Sequence, residues 1–149
     1  MSDNEISEPR ELTAAEIAIT AARAAAEKKA ADIVALDVAA LLVVTDYFVI
    51  CSGNTDRQVR TIAEEVESVM KRAGLPAIGV EGQAEGKWIL IDFVDVVVHV
   101  FQPAERDFYR LEKLWSDAPR LELPEDITGQ VAKALPADSA GADSAGADT

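Results

Sequence analysis

The sequence predicts a mixed α/β domain, a five-stranded sheet flanked by helices in the order α-β-β-α-β-β-β-α. Three observations carry this. Val59, Ile62, Ala63, Val66, Val69 and Met70 fall on one stripe at the 3.6-residue period, the mark of an amphipathic helix. Short runs rich in β-branched and aromatic residues lie on both sides of it, at 33–38, 47–51, 77–81, 88–93 and 96–101. Helical spacings open and close the series. Helices and strands are therefore interleaved, the pattern of a sheet with helices packed on it.

Taken in order, Thr13 and Glu16 make a Thr-x-x-Glu capping box ahead of an alanine-rich run. That run carries a helix to about residue 29, where Lys28 and Lys29 complement its negative end. The first two strands follow at 33–38 and 47–51. Ser52-Gly53-Asn54-Thr55 turns the chain into the long helix, which Gly74 ends and Pro76 stops from resuming. Residues 47–81 are long enough for a right-handed parallel crossover. Residues 88–93 and 96–101 make a hairpin across Val94-Asp95. Pro103 then opens a last short helix, with Phe108, Leu111, Leu114 and Trp115 at helical spacing.

The 149 residues suit one domain. Residues 1–11 read as a flexible N-terminus and 12–119 as the folded domain. Residues 120–149 read as a largely disordered acidic Ala/Asp/Ser/Gly tail. Pro124 and Gly129 break its first half, and Ala-Asp-Ser-Ala-Gly repeats from Ala137 onward. No run approaches the roughly 20 apolar residues of a membrane span. The opening is polar and acidic, where a signal peptide would be basic and then apolar, so a cytoplasmic location is expected. Cys51 and His99 are the single residues of their kinds, which removes disulfide pairing and ordinary zinc sets; no metal or cofactor is expected. The net charge is −13, and residues 13–118 alone hold 17 acidic against 11 basic side chains. That balance disfavours nucleic acid as a direct partner and suits a basic protein surface.

Several segments together resemble the ribosomal silencing factor family, also called Iojap-like. They are Lys29-Ala-Ala-Asp-Ile-Val-Ala-Leu-Asp-Val38, Thr45-Asp-Tyr-Phe-Val-Ile50 and Ser52-Gly-Asn-Thr-Asp-Arg-Gln-Val59. Further on come Glu81-Gly82, Trp88, Asp92, Asp95-Val-Val-Val-His-Val-Phe101 and Phe108-Tyr-Arg-Leu-Glu-Lys-Leu-Trp115. The resemblance covers about residues 20–117, in the family's order. It implies a nucleotidyltransferase-like topology and a homodimer when free. It also implies binding to the large ribosomal subunit through ribosomal protein fourteen at an intersubunit bridge, which blocks subunit joining and represses translation under nutrient limitation or in stationary phase. No catalytic activity is implied. The family commonly has glycine where this chain has Val94. Valine resists positive φ, so a differently shaped turn is expected there.

Strand alternation points to a binding face independently. Ile89, Ile91 and Phe93 share one side of their strand, and Trp88, Leu90 and Asp92 the other. A tryptophan with a nearby carboxylate suits a hot spot for a basic partner; the plainer alternative is that Trp88 sits under a helix on that other face of the sheet. Glu81, Glu85, Asp92 and Asp95 gather in the same region. Glu85 reads as a solvated turn residue, while Glu81 and Asp92 match family positions and read as partner contacts. A lone strand histidine such as His99 is ordinarily structural, but its family position implies a part in shaping the interface. Tyr47 is a strand start that also falls in a matching segment. The expected partner-binding set is therefore Trp88, Leu90, Asp92, Glu81, Asp95, His99 and Tyr47, with no catalytic residue.

The rival reading is a nucleotidyltransferase-like enzyme or nucleotide-binding protein. Ser52-Gly53 could form its phosphate-binding turn, with Asp92 and Asp95 holding magnesium. A spacing of three places those two carboxylates on opposite faces of a regular strand. A Ser52–His99–Asp92 triad lacks a nucleophile-elbow sequence.

Overall fold

The computed structural model describes residues 12–42, 44–108 and 117–127. Thr13 begins the first helix as its spacing requires: Glu16 N donates to Thr13 Oγ1 at 3.1 Å and Thr13 N donates to Glu16 Oε1 at 2.9 Å. Helix α1 (Ala14–Glu27) buries Ile17 and a run of alanines, whose small side chains admit a close neighbour. It stops at Glu27, short of residue 29, because Lys29 takes φ 65° and Ala30 N returns to Ala25 O at 3.2 Å.

Strand β1 (Ala31–Asp37) pairs antiparallel with β2 (Tyr47–Ser52), and the register slips between Ala31 and Val34, where Asp32 has φ 52°. This bulge lets the strand begin two residues before Ile33. Helix α2 (Asp56–Arg72) starts at Thr55, whose hydroxyl accepts from Gln58 N at 3.0 Å. It closes at Gly74, φ 88°, with Leu75 N donating to Met70 O at 2.8 Å. Strands β3 (Gly79–Glu81), β4 (Trp88–Asp92) and β5 (Val96–Phe101) follow, then helix α3 (Pro103–Phe108). The helical spacing through Leu111, Leu114 and Trp115 lies outside the described residues, as do residues 1–11 and the Ala-Asp-Ser-Ala-Gly repeats.

The sheet order is β1-β2-β5-β4-β3, with β2 and β5 parallel and the other neighbours antiparallel. The crossover through α2 therefore ends in a strand that runs parallel to β2 but lies beyond β5 and β4. Both faces of the sheet carry apolar packing. Ile33, Val49, Cys51, Ile89, Ile91, Val96, Val98 and Val100 pack with Ile17 of α1 and Val59, Ile62, Val66 and Met70 of α2. Leu36, Ile50 and Phe101, with Phe48 and Trp88, form a second cluster on the opposite face. Burial on two faces explains why β2 and β5 read as nearly continuous apolar runs.

The packed body does not end at residue 119. Asp37 N donates to Pro119 O at 2.8 Å and Leu121 N to Ala35 O at 2.9 Å, so this segment seals the outer edge of β1. Leu123 and Ile127 enter the first cluster, and Arg23 meets Asp126 at 2.9 Å. Among the described residues no helix is long and apolar enough to cross a membrane.

Candidate partner-binding face

Cross-strand register decides which side chains meet, because directly opposed residues share a face. Glu81 lies opposite Leu90, Leu90 opposite His99, and Trp88 opposite Phe101. In the parallel ladder His99 lies beside Ile50. Glu81, Trp88, Leu90, Asp92 and His99 therefore occupy the face turned away from α1 and α2.

Four rings build the centre of this face. The His99 and Phe48 centroids are 4.6 Å apart, edge to face, and Trp88 stacks on Phe101 at 5.0 Å. His99 stacks with Phe101 at 5.9 Å and with Trp88 at 6.0 Å. Trp88 Nε1 donates to His99 Nδ1 at 3.1 Å. Nδ1 must then be bare, so the proton of the neutral ring sits on Nε2. Burial supports that state: His99 is 5% exposed, and desolvation pushes its pKa down to about 4. Among the described residues Nε2 has no hydrogen-bond partner, a cost on the order of 1–3 kcal/mol. Trp88 stays half-buried, its ring plane set by Phe101 and its N–H by His99, so its rotamer is fixed by the fold.

The approach to Trp88 depends on Gly82. It has φ 90°, and a Cβ there would overlap the Trp88 carbonyl oxygen. This accounts for glycine in the Glu81-Gly82 segment. At the other end of β4, Asp92 Oδ1 accepts from Val94 N at 2.8 Å, and Asp95 N donates to Phe93 O at 3.0 Å. Val94 has φ 77°. The expectation of a differently shaped turn is corrected: the backbone takes the positive φ suited to glycine, and valine is forced into it.

Asp95 lies just past this turn, exposed, and its carbonyl accepts from Asp46 N at 3.0 Å and Tyr47 N at 3.1 Å. It belongs to the end of the sheet rather than to the ring cluster. Tyr47 parts company with the set. It pairs with Val96 and packs against the cluster that holds α1 and α2. Its hydroxyl pKa is raised by burial first and then by the Asp37 and Asp46 carboxylates. Phe48 and Phe101 are members that the sequence reading missed, though Phe101 stands two residues from His99 and so shares its parity.

The imagined triad does not assemble. Trp88 occupies His99 Nδ1 and Nε2 has no partner, so neither nitrogen reaches Ser52 or Asp92. Among the described residues, no three His, Cys, Asp or Glu side chains gather closely enough to hold a metal ion.

A mixed sheet with helices on one face and stacked rings on the other defines an α/β protein with an aromatic cluster at its surface. The family model described as ribosomal silencing factor during starvation matches residues 11–148, and the chain belongs to that family. It is 48% identical over 103 residues to the Bacillus subtilis ribosomal silencing factor RsfS, covering 69% of this chain and 87% of that protein. The crystal structure of protein CV0518 from Chromobacterium violaceum matches with a TM-score of 0.68 and 38% identity, over 70% of this chain and 88% of that one. A more distant relative is mouse mitochondrial assembly of ribosomal large subunit protein 1. It is 32% identical over 116 residues, 75% of this chain and 49% of its own length.

Proposed function

We propose that this protein binds the large ribosomal subunit through ribosomal protein fourteen at an intersubunit bridge, using the face built by Trp88, Leu90, Asp92 and Glu81. Occupying the bridge blocks association with the small subunit and represses translation when nutrients are short or growth has stopped. The protein acts by occupancy and not by catalysis. The observation that carries the reading is the half-buried Trp88, fixed by His99 and Phe101 on the same face as Glu81 and Asp92, in a chain of the ribosomal silencing factor family. A rigid aromatic side chain on a face that also carries Glu81 and Asp92 matches a basic protein surface in shape cost and in charge. Free protein is a homodimer in this reading, which equilibrium sedimentation checks.

The deciding experiment is sucrose-gradient sedimentation of purified subunits with the protein or with Trp88→Ala. Wild type travels with the large subunit and depletes joined ribosomes. Trp88→Ala loses about 2 kcal/mol or more of affinity, roughly a thirtyfold weakening, while its thermal melting stays cooperative. Wild-type protein left at the top of the gradient, with joining unaffected, would sink the proposal.

A further inference from the structure

The two edges of the sheet are treated differently. The edge at β1 is closed by the chain's own residues around Arg120. Among the described residues the edge at β3 is not: β3 is hydrogen-bonded to β4 on one side and ends the sheet on the other. An unsealed edge strand presents a row of backbone donors and acceptors to any extended chain.

Beside that edge runs a groove of about 550 Å³ between β3 and the outer side of α2, lined by Glu64, Glu67, Ser68, Lys71, Ile78 and Val80 among others. Ile78, at its mouth, is 67% exposed. Among the described residues the groove's charged side chains are Glu64 and Glu67 against the one cation Lys71, so the wall carries a net negative charge. Glu64 and Glu67 lie one turn apart, and the Glu67 carboxyl is raised by partial burial and then by Glu64. A cation placed in the groove relieves that repulsion.

We propose that this groove binds an extended lysine- or arginine-bearing peptide segment of another protein, which adds to the free edge of β3 as a further strand. Backbone hydrogen bonds to β3 supply affinity, and Glu64 and Glu67 select basic side chains. A second copy of this chain fits less well. Pairing β3 with itself about a two-fold axis brings the two acidic grooves together. The site lies on the α2 side of the sheet, opposite Trp88, so the two surfaces are separable by mutation.

The test uses the full chain and a fluorescein-labelled peptide of alternating lysine and valine, followed by fluorescence anisotropy. The control peptide replaces each valine with proline, which keeps the charge, removes half of the peptide's backbone donors and fixes φ outside the range of a regular strand. The alternating peptide binds saturably, the proline peptide at least about tenfold more weakly, and Trp88→Ala protein binds as wild type. Glu64→Lys with Glu67→Lys weakens binding by at least about tenfold, and the Glu64→Gln, Glu67→Gln pair by a smaller factor. On binding, the amides of Gly79–Glu81 exchange more slowly. Equal binding of the two peptides would reduce the groove to non-specific charge attraction and overturn the proposal. So would absence of binding, loss of binding in Trp88→Ala, or a peptide-free dimer that already protects Gly79–Glu81.

Discussion

Val94 and His99 both sit under local tension, and each makes a measurable statement. Val94 holds φ 77° with a β-branched side chain that is mostly exposed. The left-handed region costs an L-residue roughly 1–2 kcal/mol, while glycine gives back about 0.5–1 kcal/mol in backbone entropy. Val94→Gly therefore raises unfolding stability by up to about 1 kcal/mol in urea, with the Asp92 hydrogen bond kept. His99 bears on pH. Its folded pKa of about 4 lies below the ordinary 6.5, so the unfolded chain takes up the proton first as pH falls. The contribution is complete above pH 6.5 and is lost between 6.5 and 4, about 3 kcal/mol in all. Urea midpoints across that window fall steeply in wild type and less steeply in His99→Gln. Parallel curves for the two would show that His99 is not held neutral.

At the scale of elements, β4 joins the site to the fold. Ile89 and Ile91 fix it to the helix-bearing core while Trp88, Leu90 and Asp92 line the opposite face. Its starting position is set by Gly82, which lets the preceding turn pass against the Trp88 carbonyl. Gly82→Ala is expected to shift β3 from β4 and to cost about 3 kcal/mol or more in stability, the sum of backbone strain and steric overlap. Amide exchange would show the loss concentrated at β3 and the start of β4; an unchanged pattern refutes this role. Strand alternation made the face of β4 legible in the sequence, and so did the caps at Thr13 and Thr55 and the stop at Gly74. The ring cluster was not legible, because Trp88 meets His99 only through the β4–β5 register, which depends on the Val94 turn. Tyr47 shares parity with Val49 and Cys51, a signal that placed it on the other face and was outweighed by its position in a matching segment.

Over the whole molecule, the least legible part was the strap formed by residues 117–127. Its apolar residues, Leu121, Leu123 and Ile127, are sparse and interrupted by Pro124, so they carry no period. What orders them is the unfilled edge of β1 and a gap beside α1, both products of the tertiary fold. A chain cut after residue 116 loses two buried aliphatic side chains, each worth about 1.5–3 kcal/mol, and exposes β1 as an edge. Its melting temperature drops and it self-associates, as light scattering would record. A chain cut after residue 136 keeps wild-type melting and ribosome binding. Equal behaviour of the two truncations would mean that the strap contributes nothing.

The parallel ladder that sets Tyr47 against Val96 governs the order of assembly. The β4–β5 hairpin closes a short loop, whereas β2 meets β5 only after the intervening chain has been gathered in, a slow non-local step. Phe48 reaches His99 through that late ladder. A half-folded chain can therefore make the hairpin and even seat Trp88 on Phe101, yet it lacks the β2 side of the face. Completion of the ring face and completion of folding therefore become a single event.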